Sequence, residues 1–178
     1  MPYWEVGVHS ITLGIRMKVI RRLLGVFLCF LTVVAIAQDL KATGSAISIL
    51  KVAQPTVTWD AETTTLVDVT CDGKADTIIV GYEKDEAVWL GVVYGNKNNL
   101  VSKPLTMSFR VGKHSQDSFC SVPVQIKTYP INCSGDGEAL PGCINVKGCS
   151  SFAMADNTCD SFHFYWNNSL KELQWWRM

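Results

Sequence analysis

The 178-residue sequence lacks several features that would point directly to a function. It contains no C-x-x-C pair and only three histidines, which disfavours a zinc site built from cysteine and histidine. It contains no Gly-x-Ser-x-Gly motif, the strand-to-helix turn that presents the nucleophile of α/β-hydrolases. It also has no apolar run of the roughly twenty residues that a transmembrane helix requires. A membrane span, a zinc module and a hydrolase of that class are therefore disfavoured.

The N-terminal region has the order of segments that is typical of a secretory signal peptide. Lys18, Arg21 and Arg22 form a short basic segment, residues 23–36 form an apolar run, and residues 35–37 form a small-x-small cleavage site. A retained membrane anchor is the alternative interpretation, but the apolar run is short for one. We therefore predict that the chain is exported and that its first residues are removed.

This interpretation divides the chain into three segments. Residues 1–16 are predicted to be a misassigned N-terminal extension, residues 17–37 the signal peptide, and residues 38–178 a single exported β domain, secreted or periplasmic. Cleavage leaves 12 basic and 15 acidic residues, so no basic stripe remains to neutralise phosphates. We expect no nucleic-acid partner, and no association with a membrane after signal cleavage.

The exported domain carries an even number of cysteines, which indicates disulfide bonds in an oxidising compartment. The six cysteines are Cys71, Cys120, Cys133, Cys143, Cys149 and Cys159. A zinc site is the rival interpretation, but the spacing of these thiols suits tetrahedral coordination poorly. Six cysteines allow many pairings, and the sequence alone does not choose among them.

Alternating and β-branched residues dominate the middle of the chain and predict a mainly β fold. The runs TTTLVDV, DTIIVGY, AVWLGVVYG, PLTMSFRV and VPVQIKTY each have the length and composition of a strand. Residues 38–56 are compatible with either a short helix or an extended arm. The prediction is a single small antiparallel β domain, a sandwich or a partly open barrel, with a disulfide-stapled loop region.

The predicted loop region is residues 131–160. It holds four of the six cysteines and is rich in Gly, Ser, Asn and Asp. A stretch of this length and composition is unusual inside a compact domain, and disulfides explain how it stays ordered. We therefore predict a stapled surface region.

Two aromatic strands, SFHFYW and LQWWR, follow this region around an Asn-rich turn. Because side chains alternate across a strand, we expect Trp166 to face the core and Tyr165 and Trp176 to face outward. Trp rings also stack on sugar rings, so a glycan-binding role for Trp166, Trp175 and Trp176 is the alternative to core packing.

One loop, DVTCDGKADTIIVG at residues 68–81, has the spacing of oxygen ligands that calcium requires. The predicted ligands occupy its first, third, fifth, seventh and ninth places: Asp68, Thr70, Asp72, the carbonyl of Lys74, and Asp76. Gly73 holds the sixth place, where a sharp turn favours a residue without Cβ. The third place is a neutral threonine and the twelfth is Ile79, where a helix–loop–helix site needs a glutamate. The spacing therefore favours a calcium loop between strands.

This stretch resembles the calcium-binding loop of FG-GAP/VCBS repeats, the β-propeller blades of integrin α chains and of many secreted bacterial proteins. Asp68, Asp72, Gly73 and Asp76 match the family pattern. The resemblance covers about fourteen residues and occurs once, whereas a propeller needs at least about four blades. It therefore implies a structural calcium ion but not the propeller architecture. The alternative is a hairpin turn with Asp-Gly at its tip and no metal.

Two classes of function remain. The first is a non-enzymatic binding or structural module with a structural calcium and an unidentified protein or glycan partner. The second is a small secreted hydrolase, and an inhibitor of a secreted enzyme is a variant of the first. His114, Ser115 and Asp117 contain the residue types of a catalytic triad, but triad members usually come from separate elements. We therefore assign no catalytic residue and expect a binding module.

Overall fold

The structure, a computed structural model, describes residues 41–84, 87–95, 103–112, 116–135 and 137–177. The predicted N-terminal extension and signal peptide lie outside the described residues. One unit, Ala42–Met178, contains all of the described strands.

Two sheets form the body of this unit. The first has six strands: β1 Thr58–Trp59, β2 Thr65–Val67, β3 Asp76–Glu83, β4 Ala87–Val93, β5 Leu105–Val111 and β6 Ser118–Phe119. The second has four strands: β7 Gln125–Pro130, β10 Ser150–Ala155, β11 Phe162–Asn167 and β12 Glu172–Arg177. A small hairpin consists of β8 Ser134–Gly135 and β9 Glu138–Ala139.

The strand order explains how the two sheets are built. In the first sheet β1 and β2 both pair with β3, and β4, β5 and β6 follow in order. All of these pairs are antiparallel except β5 with β6, which is parallel. The second sheet is antiparallel throughout, in the order β12, β11, β10, β7. The predicted mainly β, antiparallel domain is confirmed.

The two sheets pack face to face around one apolar core, so the structure is a sandwich. Ile78, Val80 and Leu90 of the first sheet are fully buried together with Phe152 and Phe164 of the second. Aromatic rings bridge the sheets. The ring of Phe109 in β5 lies 4.7 Å from that of Phe162 in β11. Burying such large side chains contributes about 1.5–3 kcal/mol each.

A helix, α1 at residues 41–53, covers the other face of the first sheet. Ala46 and Leu50, one turn apart, pack against Trp59 and Ile79 in a second apolar cluster. This packing resolves the choice between helix and extended arm in favour of the helix. It also explains why β3 is an almost continuous apolar run, because this strand is buried on both faces.

The predicted stapled region contains a strand that the sequence analysis did not identify. Its last part forms β10, where Phe152 and Met154 are buried in the core between β7 and β11. The prediction of a surface region is therefore wrong for residues 150–155. The run SSFAMA has small residues at several places, and its burial depends on the neighbouring strands instead of on a strong local β preference.

Candidate functional site

The aspartate-rich stretch is the connection between β2 and β3. Val67 pairs with Asp76, so residues 68–75 form the loop of a hairpin. Gly73 has a φ of +83°, a left-handed conformation that favours glycine, as its place in the loop predicted. The strand predicted to follow Asp76 is present as β3.

Asp76 anchors this loop from inside the protein. The side chain is fully buried, and its Oδ2 accepts hydrogen bonds from the N–H groups of Val69 and Thr70 at 3.0 and 3.1 Å. The Thr70 hydroxyl donates to the same oxygen at 3.2 Å, and the N–H of Gly95 donates to Oδ1 at 2.9 Å. Burial raises the pKa of Asp76, although these hydrogen bonds act in the opposite direction. The carboxylate thus ties the loop to the end of β4.

The other two aspartates hold the tip of the loop. Asp68 accepts hydrogen bonds from the N–H groups of Asp72 at 3.2 Å and Gly73 at 2.8 Å. The N–H of Lys74 donates to Asp72 at 2.9 Å. Short aspartate side chains commonly stabilise turns in this way. All three carboxylates therefore accept hydrogen bonds that stabilise the turn, and this role alone explains why three aspartates occur in the loop.

The fit of a calcium ion differs among the predicted ligands. Among the described residues, no three Asp, Glu, His or Cys side chains converge on one point. Asp76 fits poorly in this arrangement, because both of its oxygens already accept hydrogen bonds inside the protein. Asp68 and Asp72 are half-buried at the loop tip and fit better. Calcium binding by Asp68, Thr70, Asp72, the Lys74 carbonyl and Asp76 stays a prediction.

All six predicted cysteines form disulfides, as expected. The pairs are Cys71–Cys149, Cys120–Cys159 and Cys133–Cys143, with Cα–Cα distances of 4.9, 5.8 and 5.5 Å. The first pair joins the aspartate loop to the segment before β10, and the N–H of Ser150 donates to the carbonyl of Asp68 at 2.9 Å beside it. The aspartate loop is therefore held covalently.

A second buried carboxylate, Asp156, was not identified from the sequence. Its Oδ2 accepts hydrogen bonds from the N–H groups of Cys120 and Ser121, and its Oδ1 from those of Thr158 and Cys159. Desolvation opposes ionisation, but these four hydrogen bonds prevail and lower the pKa of Asp156. The sequence DNTC signals the local turn. It does not reveal the partners 35 or more residues away.

The aromatic strands at the C-terminus place their three tryptophans in different environments. Trp166 is buried in the core, and Trp175 packs its ring against Phe162 at 5.2 Å while remaining 40% exposed. Trp176 lies on the opposite face of the sheet, outside the core. Tyr165 shares that outer face, as the alternation predicted, but it is only 6% exposed because other residues cover it. The hairpin β8–β9 packs over the outer face there, as the contact of Gly135 with Trp176 shows.

Comparisons of this chain with protein-family models, with curated proteins and with solved structures found no match. The resemblance to FG-GAP/VCBS loops therefore stays a sequence-based interpretation. His114 and Ser115 lie outside the described residues, so the structure gives no geometry for them with Asp117. Within the described part of the chain, no helix is both long and apolar enough to cross a membrane.

Proposed function

We propose that the protein is an exported binding module, secreted or periplasmic, that acts without catalysing a reaction. The observation that carries this proposal is the set of three disulfides. Such bonds form and persist in oxidising compartments, in agreement with the predicted signal peptide at residues 17–37. The disulfides tie surface loops to a rigid pair of sheets. A preorganised loop loses less conformational entropy when it binds a partner.

The aspartate loop has a structural role in this proposal. It joins β2 to β3, and Asp76 accepts a hydrogen bond from the N–H of Gly95 after β4. The disulfide of Cys71 links the loop to the segment just before β10 in the second sheet. A calcium ion at its tip would relieve the repulsion between Asp68 and Asp72 and stabilise the turn. The loop would then help to hold the binding surfaces in place.

A second candidate function is binding to a protein partner, as an inhibitor of a secreted enzyme would do. The loop between Cys143 and Cys149 supports this candidate. Ile144 and Val146 are 51% and 39% exposed. They lie between Cys143 and Cys149, both of which are disulfide-bonded. Apolar side chains on a constrained loop are suited to insertion into a partner. Replacing both with Ser should leave folding intact and weaken binding to such a partner.

Export and the absence of turnover test the main proposal. The protein recovered from the exported fraction should begin at Gln38 and contain no titratable thiol after denaturation without reductant. It should not hydrolyse ester, peptide or glycoside substrates. A mature chain that retains residues 17–37 would contradict export. The hydrolase alternative would be favoured if the protein turned over a substrate and if Ser115→Ala, but not the control Ser121→Ala, abolished that turnover.

A further inference from the structure

A cavity of about 380 Å³ lies on the outer face of the second sheet. Side chains of all four strands line it from the sheet side: Tyr129, Ser151, His163, Tyr165 and Trp176. The β8–β9 hairpin and the residues beside it line it from the other side, through Asn132, Ser134 and Leu140. Its volume falls within the range of roughly 300–1,000 Å³ that is usual for small-ligand sites.

The walls of this cavity are held in position by packing. The Trp176 ring stacks on the His163 ring with a centroid distance of 4.5 Å and an interplanar angle of 18°. Gly135 lets the hairpin lie close to the sheet, since a Cβ there would be 3.2 Å from Trp176 and 2.8 Å from Leu140. The disulfide Cys133–Cys143 closes the loop that carries the hairpin. The cavity is therefore preformed.

Tyr165 brings a hydroxyl group into the cavity. The side chain as a whole is only 6% exposed. Burial raises the pKa of Tyr165, so the hydroxyl stays protonated and can act as both donor and acceptor. A ligand that covers this hydroxyl must supply a hydrogen bond to it, because leaving a polar group buried and unsatisfied costs about 1–3 kcal/mol.

The lining chemistry indicates the class of ligand. The described lining residues include no Lys, Arg, Asp or Glu, so none of these permanently charged side chains compensates a charged ligand there. A purely apolar ligand would displace water and leave the Tyr165 hydroxyl unsatisfied. A sugar ring has an apolar C–H face that packs on aromatic rings and hydroxyl groups that bond to Tyr165, Ser151 and Asn132. Tyr129, which is 44% exposed at the edge of the cavity, offers such a ring surface.

We propose that this cavity binds one ring of a neutral glycan, with Tyr129 as the stacking platform and the Tyr165 hydroxyl as a hydrogen-bonding group. This inference rests on the proposed function as a binding module and names its ligand class. The aromatic contacts differ from the glycan-binding alternative of the sequence analysis, which used Trp166, Trp175 and Trp176. Trp166 belongs to the core, and of these three tryptophans only Trp176 lines the cavity.

The test uses the oxidised mature chain and saturation-transfer NMR with calorimetry. The neutral probes are cellotetraose, chitotriose, mannotriose, maltotriose and galactotriose, and the comparison probes are oligogalacturonate and a tryptophan-containing peptide. At least one neutral probe should bind. Tyr165→Phe should weaken that binding about fivefold, because it removes only the hydroxyl, and Tyr129→Ala should weaken it about tenfold.

Tyr94→Phe is the matched control, because it removes a tyrosine hydroxyl outside the cavity, beside Trp166. It should leave binding unchanged, and unfolding curves should show that all three variants remain folded. Failure of every neutral probe to bind would overturn the glycan inference, as would preferred binding of the peptide at the same residues. Glycan binding unaffected by Tyr165→Phe and Tyr129→Ala would overturn the cavity's role while leaving the proposed binding module intact. Hydrolysis of a bound probe would instead contradict the proposed function.

Discussion

The carboxylate of Asp156 accepts a hydrogen bond from the backbone N–H of Cys159 at 2.9 Å. Its other oxygen accepts one from the N–H of Cys120, the disulfide partner of Cys159. One side chain therefore bonds to the backbone at both ends of the same disulfide. The end of β6 and the turn after β10 are therefore joined at one place by a disulfide and by hydrogen bonds to a carboxylate.

Replacing Asp156 with Asn should destabilise the protein by about 2–4 kcal/mol. The amide cannot accept four hydrogen bonds from N–H groups, and hydrogen bonds to a charged group are worth about 1.5–3 kcal/mol each. Chemical denaturation at neutral pH measures the loss. Asp160→Asn is the matched control, because Asp160 is an exposed acid four residues away, and it should change stability little.

The lowered pKa of Asp156 also predicts a pH dependence of stability. A carboxyl whose folded-state pKa lies below its ordinary value of 3.8 stabilises the fold above that pH. The contribution is lost as the pH falls from 3.8 through the lower folded-state pKa. Stability measured across this window should fall less steeply for Asp156→Asn than for the wild-type protein. Equal slopes would contradict this role of the carboxylate.

The three disulfides should contribute unequally to stability. Their sequence separations are 78, 39 and 10 residues, for which loop-closure entropy gives about 4.5, 3.9 and 2.7 kcal/mol. Double Cys→Ala variants of each pair, compared by denaturant unfolding, should follow that order. A larger loss for Cys133–Cys143 than for Cys71–Cys149 would show that native-state packing, and not chain entropy, sets the ranking.

Calcium should raise the melting temperature if the aspartate loop binds it, because an ion that binds only the folded state stabilises that state. A chelator should lower the melting temperature, and magnesium should have little effect, since it prefers a tighter octahedral shell. Asp72→Ala should abolish the calcium response and Asp72→Asn should weaken it. Glu138→Ala removes an exposed acid elsewhere and should keep the response. If wild type and Asp72→Ala melt alike with and without calcium, the loop is a hairpin turn without a metal.

Two glycine substitutions, one in the sheet beneath α1 and one within α1, should have opposite effects on stability. At Gly91 in β4, a Cβ would lie 2.7 Å from both Leu50 and Trp59, so Gly91→Ala should cost about 1–3 kcal/mol by overpacking. At Gly44 in α1, a Cβ would meet nothing within 4 Å. Gly44→Ala should therefore stabilise the helix by about 0.5–1 kcal/mol. Thermal unfolding of the two variants measures both effects, and a neutral Gly91→Ala would contradict the close contact.

The sequence by itself determined the strands whose residues alternate or are β-branched, because burial of one face imposes that pattern on each strand separately. It also determined that the cysteines pair, since their even number and the predicted export require no knowledge of the fold. The turn at Gly73 and the strand after Asp76 were also predictable from the sequence alone. Each depends on residues close in sequence.

Only the tertiary structure decided which cysteines pair, how Asp156 is satisfied, and that SSFAMA is a central strand. Each of these depends on groups that are distant in sequence and meet only after the sheets have packed. The burial of Tyr165 has the same origin. Its position in β11 places it on the outer face, but the hairpin that covers that face comes from residues 132–140. Alternation specifies the side of a sheet to which a residue points, whereas burial depends on what the rest of the chain places there.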